Sequence, residues 1–504
     1  MRSKYFSTPF GQCFERTSEN SDSPVVTVST FYDVVIIGSG ASGSVIANYL
    51  IAAGARVLLL EAGKEYSART FPRNELLANS SLYWNGSMDS TTTANLLFLR
   101  GKVLGGGTVV NQALMDRFDA PVWDEWRQKS GIPFYNDREM NQHYTEIESR
   151  LVLHTLTRPE WNRNAELYVE GFERLGYRWG ALRRGQSNCK PESNDCMACL
   201  GGCRRDSKQS MLVTFLKNAM QNGLEVRTQF MAERIIHHRD RVEILGRQGG
   251  VEQRVEARRC VVAAGTLGTN QLMLRSGFGA DLPALGKGLY GHPQWMNIAL
   301  FDDVVDAHKG ALQAVKSDEP RFRAMGFKLE NVFVGPIGIS MLMPSHGLRH
   351  QHLMERYRYM ASMEVCIRDL LPGIIRVNRQ GRLRITKPLE GEDLKRGLAG
   401  VKVVRELYAA VGAREFISSN FNFSLHQMGG CAIGASPKTA VVNERFQVFG
   451  KENLTIADGS IFPLSSGINP ALSIMAHGHR ASQILLEEFG VAASSTAGLE
   501  VRHG

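Results

Sequence analysis

Gly38, Gly40 and Gly43 stand in a G-x-G-x-x-G arrangement, with Ser39, Ala41 and Ser42 between them. These residue types at this spacing suit the binding of a pyrophosphate. Gly38 permits a tight turn, Gly40 lets the backbone approach the phosphates, and Gly43 lets a helix pack closely on the strand before it. The N–H groups and dipole at the start of that helix favour the phosphate charge. Glu61, followed by Ala62, is placed to accept hydrogen bonds from a ribose diol, and its carboxylate would repel a 2′-phosphate, which argues against NADP.

Three further groups of residues could do chemistry. Gly105, Gly106, Gly107 and Thr108 form a run whose small side chains let backbone come close to a flat ring. Asp458 and Gly459 place a carboxylate beside a glycine, which suits the hydroxyls of a polyol chain. Cys189, Cys196, Cys199 and Cys203 are spaced C-x6-C-x2-C-x3-C. Four thiols this close suit tetrahedral ligation of zinc or an iron–sulfur cluster, and they equally suit the packing of a tight turn beside Gly201, Gly202 and Lys208. Histidine suits proton transfer near neutral pH, but with 13 histidines in the chain the residue type alone singles out none.

The elements that must position these groups are legible in the apolar pattern. Residues 34–37 and 57–60 are β-branched and leucine-rich runs suited to strands buried on both faces, and the helical stretch between them is stopped by Gly54. Residues 261–264 read as a further strand leading into Gly265, and 454–457 as one ending at Asp458. Cofactor motifs thus lie at both ends of the chain, which predicts a discontinuous Rossmann-like domain over 31–290 and 418–490. Between them, residues 325–343, 361–370 and 373–386 alternate as antiparallel strands do, and 391–413 read as an amphipathic helix. Residues 291–417 are therefore expected to form an antiparallel-sheet substrate domain. The predicted class is α/β with an α+β second domain, flanked by polar tails at 1–30 and 491–504.

Composition narrows the function classes. With 43% apolar and 22% charged residues the chain has the make-up of a soluble globular protein. The net charge of +9 is spread without a long basic run, and no nucleic-acid-binding motif accompanies it, so no nucleic-acid partner is expected. The most apolar stretch, 34–60, is interrupted by glycines and Arg56, so no membrane span is predicted. The first thirty residues are rich in Ser and Thr and lack an apolar signal core, which makes the reducing cytoplasm the expected compartment and structural disulfides unexpected.

Four segments together resemble the glucose–methanol–choline (GMC) family of FAD oxidoreductases: RGKVLGGGTVVN at 100–111, AGTLGTNQLMLRSG at 264–277, HQMGGCAIG at 426–434, and the stretch 441–482. HQMG and the cysteine-rich segment 196–223 are most similar to its long-chain alcohol oxidase branch. The resemblance implies FAD as cofactor, with Gly105–Thr108 and Asn111 beside the flavin, the backbone of Ala232 against the adenine, Gly265 as a further contact, and Asp458 and Gly459 along the ribityl chain. It implies that His426 is the catalytic base and that Asn469, in the sequence Gly467-Ile468-Asn469-Pro470, is the second active-site residue, donating to the substrate oxygen. Pro470 fixes the chain before the next helix. The implied reaction takes a small-molecule alcohol, with room for a bulky or apolar one, to a carbonyl. Hydride passes to flavin N5 and the electrons go on to oxygen or another acceptor. Val110 stands where members with covalent flavin carry histidine, so the FAD is expected to be non-covalent. The cysteine loop is expected to be structural, with no metal. The alternative is a flavin-dependent lyase or another non-redox member of the family.

Overall fold

The computed structural model describes residues 26–190 and 199–490. Two sheets organise them. In the first, the strands Lys451–Ile456, Val251–Val262, Val26–Ile37, Val57–Leu60 and Glu225–Arg227 lie side by side in that order, all parallel. Every side chain of Val57–Leu60 is buried, as a parallel strand covered on both faces requires. The helices Ala41–Ala52 and Ala471–Glu488 pack together over this sheet. The strands Phe230–His237 and Val242–Gln248 extend it as an antiparallel meander beside Val251–Val262.

The first strand begins at Val26, and its pairing with Val251–Val262 opens at Val26 opposite Gln253. Backbone that was expected to be tail up to residue 30 is therefore the outer end of a ladder. Hydrogen bonding to a neighbouring strand does not require an apolar sequence, which is why the polar composition hid it.

The second sheet is antiparallel at its centre, with Glu415–Gly430, Lys287–Leu300, Met360–Ile367 and Phe327–Asn331 in that order. It also takes in Leu96–Phe98 and Trp179–Ala181, which come from far outside residues 291–417. The helix Gly391–Ala410 covers one face. Residues 336–342, expected as strand, form the helix Pro336–Leu342, because Pro336 supplies a preset helical φ where no N–H is needed.

Candidate active site

A cavity of about 730 Å³ opens between the carboxyl ends of the parallel strands and the face of the antiparallel sheet opposite the helix Gly391–Ala410. Its first wall follows from the parallel topology. Gly38 follows Ile37, Glu61 follows Leu60, Gly265 follows the strand ending at Val262, and Asp458 follows the strand ending at Ile456. In an open parallel sheet these strand ends are where ligands bind. Gly38, Ser39, Gly40, Ala41, Ser42, Glu61, Ala62, Gly106, Gly107, Thr108, Asn111, Ala232, Gly265, Asp458 and Gly459 all line it. Gly43 and Gly105 do not. A Cβ on Gly43 would lie 2.0 Å from the carbonyl oxygen of Gly38, so Gly43 serves the packing of helix on turn, whereas a Cβ on Gly40 would meet no protein atom within 4 Å.

Local hydrogen bonds hold this wall in place. The hydroxyl of Ser39 donates to Glu61 Oε2 at 2.5 Å, and the N–H of Gly63 donates to Oε1 at 2.7 Å. The N–H of Gly105 reaches back to Ser39 Oγ at 2.9 Å, tying the second glycine loop to the first. That contact is close enough that a Cβ on Gly106 would sit 2.8 Å from Gly40 Cα. Thr269 donates to Asp458 at 2.5 Å. Burial raises both carboxyl groups, Glu61 and Asp458, against the lowering effect of these donors.

These features fit FAD. Gly40, Gly107 and Gly265 leave open space where a side chain would stand, and the buried amide of Gln112 on the same wall has neither its Nε2 nor its Oε1 partnered. Glu61 would hold the adenosine ribose, the 38–43 turn the pyrophosphate, Asp458 the ribityl chain, and Gly106–Asn111 with Gln112 the flavin ring.

His426, Asn469 and Pro470 lie at the seam between the two walls. Pro470 caps the helix Ala471–Glu488 and so sets Asn469 at its entrance. Nδ1 of His426 lies 2.9 Å from Nδ1 of His292, a fully buried histidine on the neighbouring strand. Burial lowers both histidines: His426 is pushed down to about 3, with the nearby ammonium of Lys328 adding to the effect, and both rings are neutral at pH 7. One proton is shared between the two Nδ1 atoms. In one arrangement the Gly467 N–H donates to His292 Nε2 at 2.8 Å, His292 donates to His426, and His426 presents N–H to the cavity. The other arrangement, in which His426 donates to His292 and presents a lone pair, puts a proton on His292 Nε2 and requires the Gly467 N–H to give way so that this proton faces Ser466 Oγ, 3.4 Å away.

Asn469 has its own anchor. Lys328 Nζ donates to Asn469 Oδ1, and because an ammonium only donates, the amide NH₂ of Asn469 is left to face the cavity. Lys328 also pairs with Glu330 Oε1 at 2.7 Å. Burial opposes its charge, but Glu330 together with Cys366 and Asp116 outweighs that and holds the ammonium above the ordinary lysine range.

The second wall carries buried polar groups. Glu330 and Glu364 stand directly opposite each other on adjacent strands, and Gln313 Nε2 donates to both, at 2.6 Å and 3.3 Å. Burial and the neighbouring Glu330 push Glu364 well up, which favours its neutral form, while Glu330 pairs with Lys328. Met296, Val332, Phe423 and Leu425 supply apolar surface on the same wall.

Of the four clustered cysteines, Cys196 lies outside the described residues. Cys189, Cys199 and Cys203 sit together with Arg184 and Lys208 around a small cleft apart from the main cavity. Lys208 Nζ donates to the carbonyls of Val109, Asn111 and Cys199, so this loop braces the backbone next to Asn111.

Sequence reading passed over His292, Lys328, Glu330, Glu364, Gln294 and Gln112. A signal was present for most of them. His292, Gln294, Lys328, Glu330 and Glu364 occupy alternate positions in strands otherwise apolar, which is the mark of polar residues sharing one face.

Comparison with known proteins agrees with this geometry. The GMC oxidoreductase family model for the N-terminal part matches residues 32–294, and that for the C-terminal part matches 380–478. The chain is 27% identical to the long-chain-alcohol oxidase FAO4B of Arabidopsis thaliana, over 90% of this chain and 67% of that protein. It is 29% identical to the GMC-type oxidoreductase y4nJ of Sinorhizobium fredii, over 90% of this chain and 94% of that one. Among solved structures, pyridoxine 4-oxidase from Mesorbium loti superposes with a TM-score of 0.69 at 17% identity, covering 90% of this chain and 98% of that one, a likeness of fold.

Proposed function

The chain belongs to the GMC oxidoreductase family, and from that we propose that it is an FAD-dependent oxidoreductase that converts an alcohol to a carbonyl at the seam of the cavity. The observation that carries this reading is the placement of a neutral, half-buried His426 and the donor end of Asn469 side by side between a dinucleotide-shaped wall and a second, partly apolar wall. Its alcohol oxidase relative supports the class of donor.

FAD, when bound, supplies the acceptor for the substrate's hydride. The residues of the chain manage the oxygen and its proton. His426 takes the hydroxyl proton at Nε2 in the arrangement where its own Nδ1 proton points to His292, which is reached when the Gly467 N–H releases His292 Nε2 and the His292 proton faces Ser466. The amide NH₂ of Asn469 donates to the substrate oxygen, and the fixed charge of Lys328 behind it favours the negative charge that grows there. The burial of Asn469 and the partial burial of His426 strengthen both effects.

The test is anaerobic mixing of the purified flavoprotein with a panel of alcohols. Bleaching of the flavin absorbance is the expected result. Turnover of a substrate without bleaching would instead support the non-redox alternative. We further propose that the FAD is non-covalent, since Val110 offers no nucleophile beside the loop. Acid precipitation should then leave the yellow colour in the supernatant, and colour retained in the pellet would contradict it.

A further inference from the structure

We propose that the wall bearing Gln294, Glu330 and Glu364 is a subsite for a second hydroxyl of the substrate, so that the preferred alcohol is a diol or polyol rather than a simple alkanol. The inference rests on the alcohol-oxidising function proposed above and specifies its substrate class.

Gln294 supplies the first argument. It is 1% exposed, lines the cavity, and its Oε1 has no hydrogen-bond partner. A buried acceptor without a partner is costly, so the wall lacks a donor that the protein itself does not provide. Gln294 is two residues from His292 along the same strand and on the same face. The spacing along a strand puts it roughly 7 Å from the histidine pair. A substrate held at His426 reaches that point with a group a few carbons from its reacting carbon.

The paired carboxyls supply the second argument. Glu330 and Glu364 are 1% and 3% exposed, line the cavity, and stand opposite each other in register. Both offer carboxyl oxygens that can accept a hydrogen bond, the proton held on Glu364 being shared with Glu330, and the Glu330 charge is already matched by Lys328 at 2.7 Å. An ammonium on the substrate would enter beside that lysine and be repelled, whereas a neutral hydroxyl donates without adding charge. Met296, Val332 and Leu425 line the same cavity and give the connecting carbons an apolar surface.

The test compares, on the holoenzyme under anaerobic conditions, flavin reduction by 1,4-butanediol with that by 1-butanol, and by 1,6-hexanediol with that by 1-hexanol. 4-Amino-1-butanol forms a third arm. The second-order rate constant for reduction is expected to be at least about tenfold higher for a diol than for its alkanol, since a site built to bond a hydroxyl discriminates against the analogue lacking it. The amino alcohol is expected to do no better than the alkanol. In Gln294→Leu the diol preference should fall by about tenfold. The preference is a ratio taken on one preparation, so incomplete folding cancels, and Gln294→Met repeats the test if the leucine variant holds no flavin. Equal rates for diol and alkanol in the wild type, or a preference unchanged in the Gln294 variants, would overturn the subsite. An amino alcohol faster than the diol would overturn the assignment of a neutral group. A flavin that no alcohol of any kind bleaches would refute the function itself, and the subsite with it.

Discussion

The two walls of the cavity are built from different materials. The wall at the ends of the parallel strands is chiefly backbone: glycine turns, a helix start and strand termini, with Glu61 and Asp458 as its fixed carboxyls. The wall on the antiparallel sheet is chiefly side chain: buried His292, Glu330 and Glu364 with the half-buried Lys328, electrostatically joined to one another. A backbone wall is sensitive to added atoms and indifferent to charge. A side-chain wall tolerates changes of shape better but depends on every proton being in its place. Placing His426 and Asn469 where the two meet puts a cofactor held by shape beside a substrate oriented by charge.

Substitutions should separate the two kinds of wall. The largest effect is expected from Gly43→Val. Its Cβ would lie 2.0 Å from a backbone oxygen that cannot yield, and the variant should give no folded, yellow protein. Gly40→Ala offers the sharp contrast, because the added methyl meets no protein atom within 4 Å. It should melt within a few degrees of the wild type, by differential scanning calorimetry, yet lose flavin at least about tenfold more readily. If Gly40→Ala unfolded as Gly43→Val does, the distinction between packing glycine and cofactor glycine would be lost.

On the second wall, Lys328→Met removes charge while keeping much of the bulk. Flavin reduction should slow about a hundredfold, the scale of losing one preorganised donor in an active site. The pH profile gives the clearer signature. His426 is pushed down to about 3, so the wild-type reduction rate should stay level from pH 8 to roughly pH 5 and fall only in stronger acid as the base becomes protonated. Lys328 contributes to that depression; without it the His426 pKa rises and the acid limb moves to higher pH. An unshifted limb would show that the lysine acts through packing alone. The smallest effect is expected from Ser466→Ala, which removes the acceptor for the His292 proton in the arrangement where His426 is a base. A slowing of about fivefold, with flavin binding unaltered, matches the loss of one neutral hydrogen bond.

This contrast also explains what could be read without a structure. The parallel sheet and its loops were legible because Gly38, Gly43 and Gly106 occupy positions that no other residue fits, and such constraints leave a spaced pattern in the chain. The second wall left a weaker trace. Lys328, Glu330 and Glu364 come from strands distant in sequence, and only the register that sets Glu330 opposite Glu364 turns them into a site. His292 looked like one histidine among many until its strand paired with the one carrying His426. The recruitment of Leu96–Phe98 and Trp179–Ala181 into the antiparallel sheet was likewise invisible, because such short strands carry too few residues to show a period.

The central claim is that His426 handles the substrate's proton while the flavin-holding wall works independently of it. The direct measurement is anaerobic stopped-flow reduction of the bound flavin by a reactive alcohol, compared between the wild type and His426→Ala. The variant is expected to bind FAD with an unchanged flavin content and to be reduced about 10² to 10⁴ times more slowly, the usual contribution of a general base. A His426→Ala protein that holds its flavin and is reduced at the wild-type rate would contradict the account.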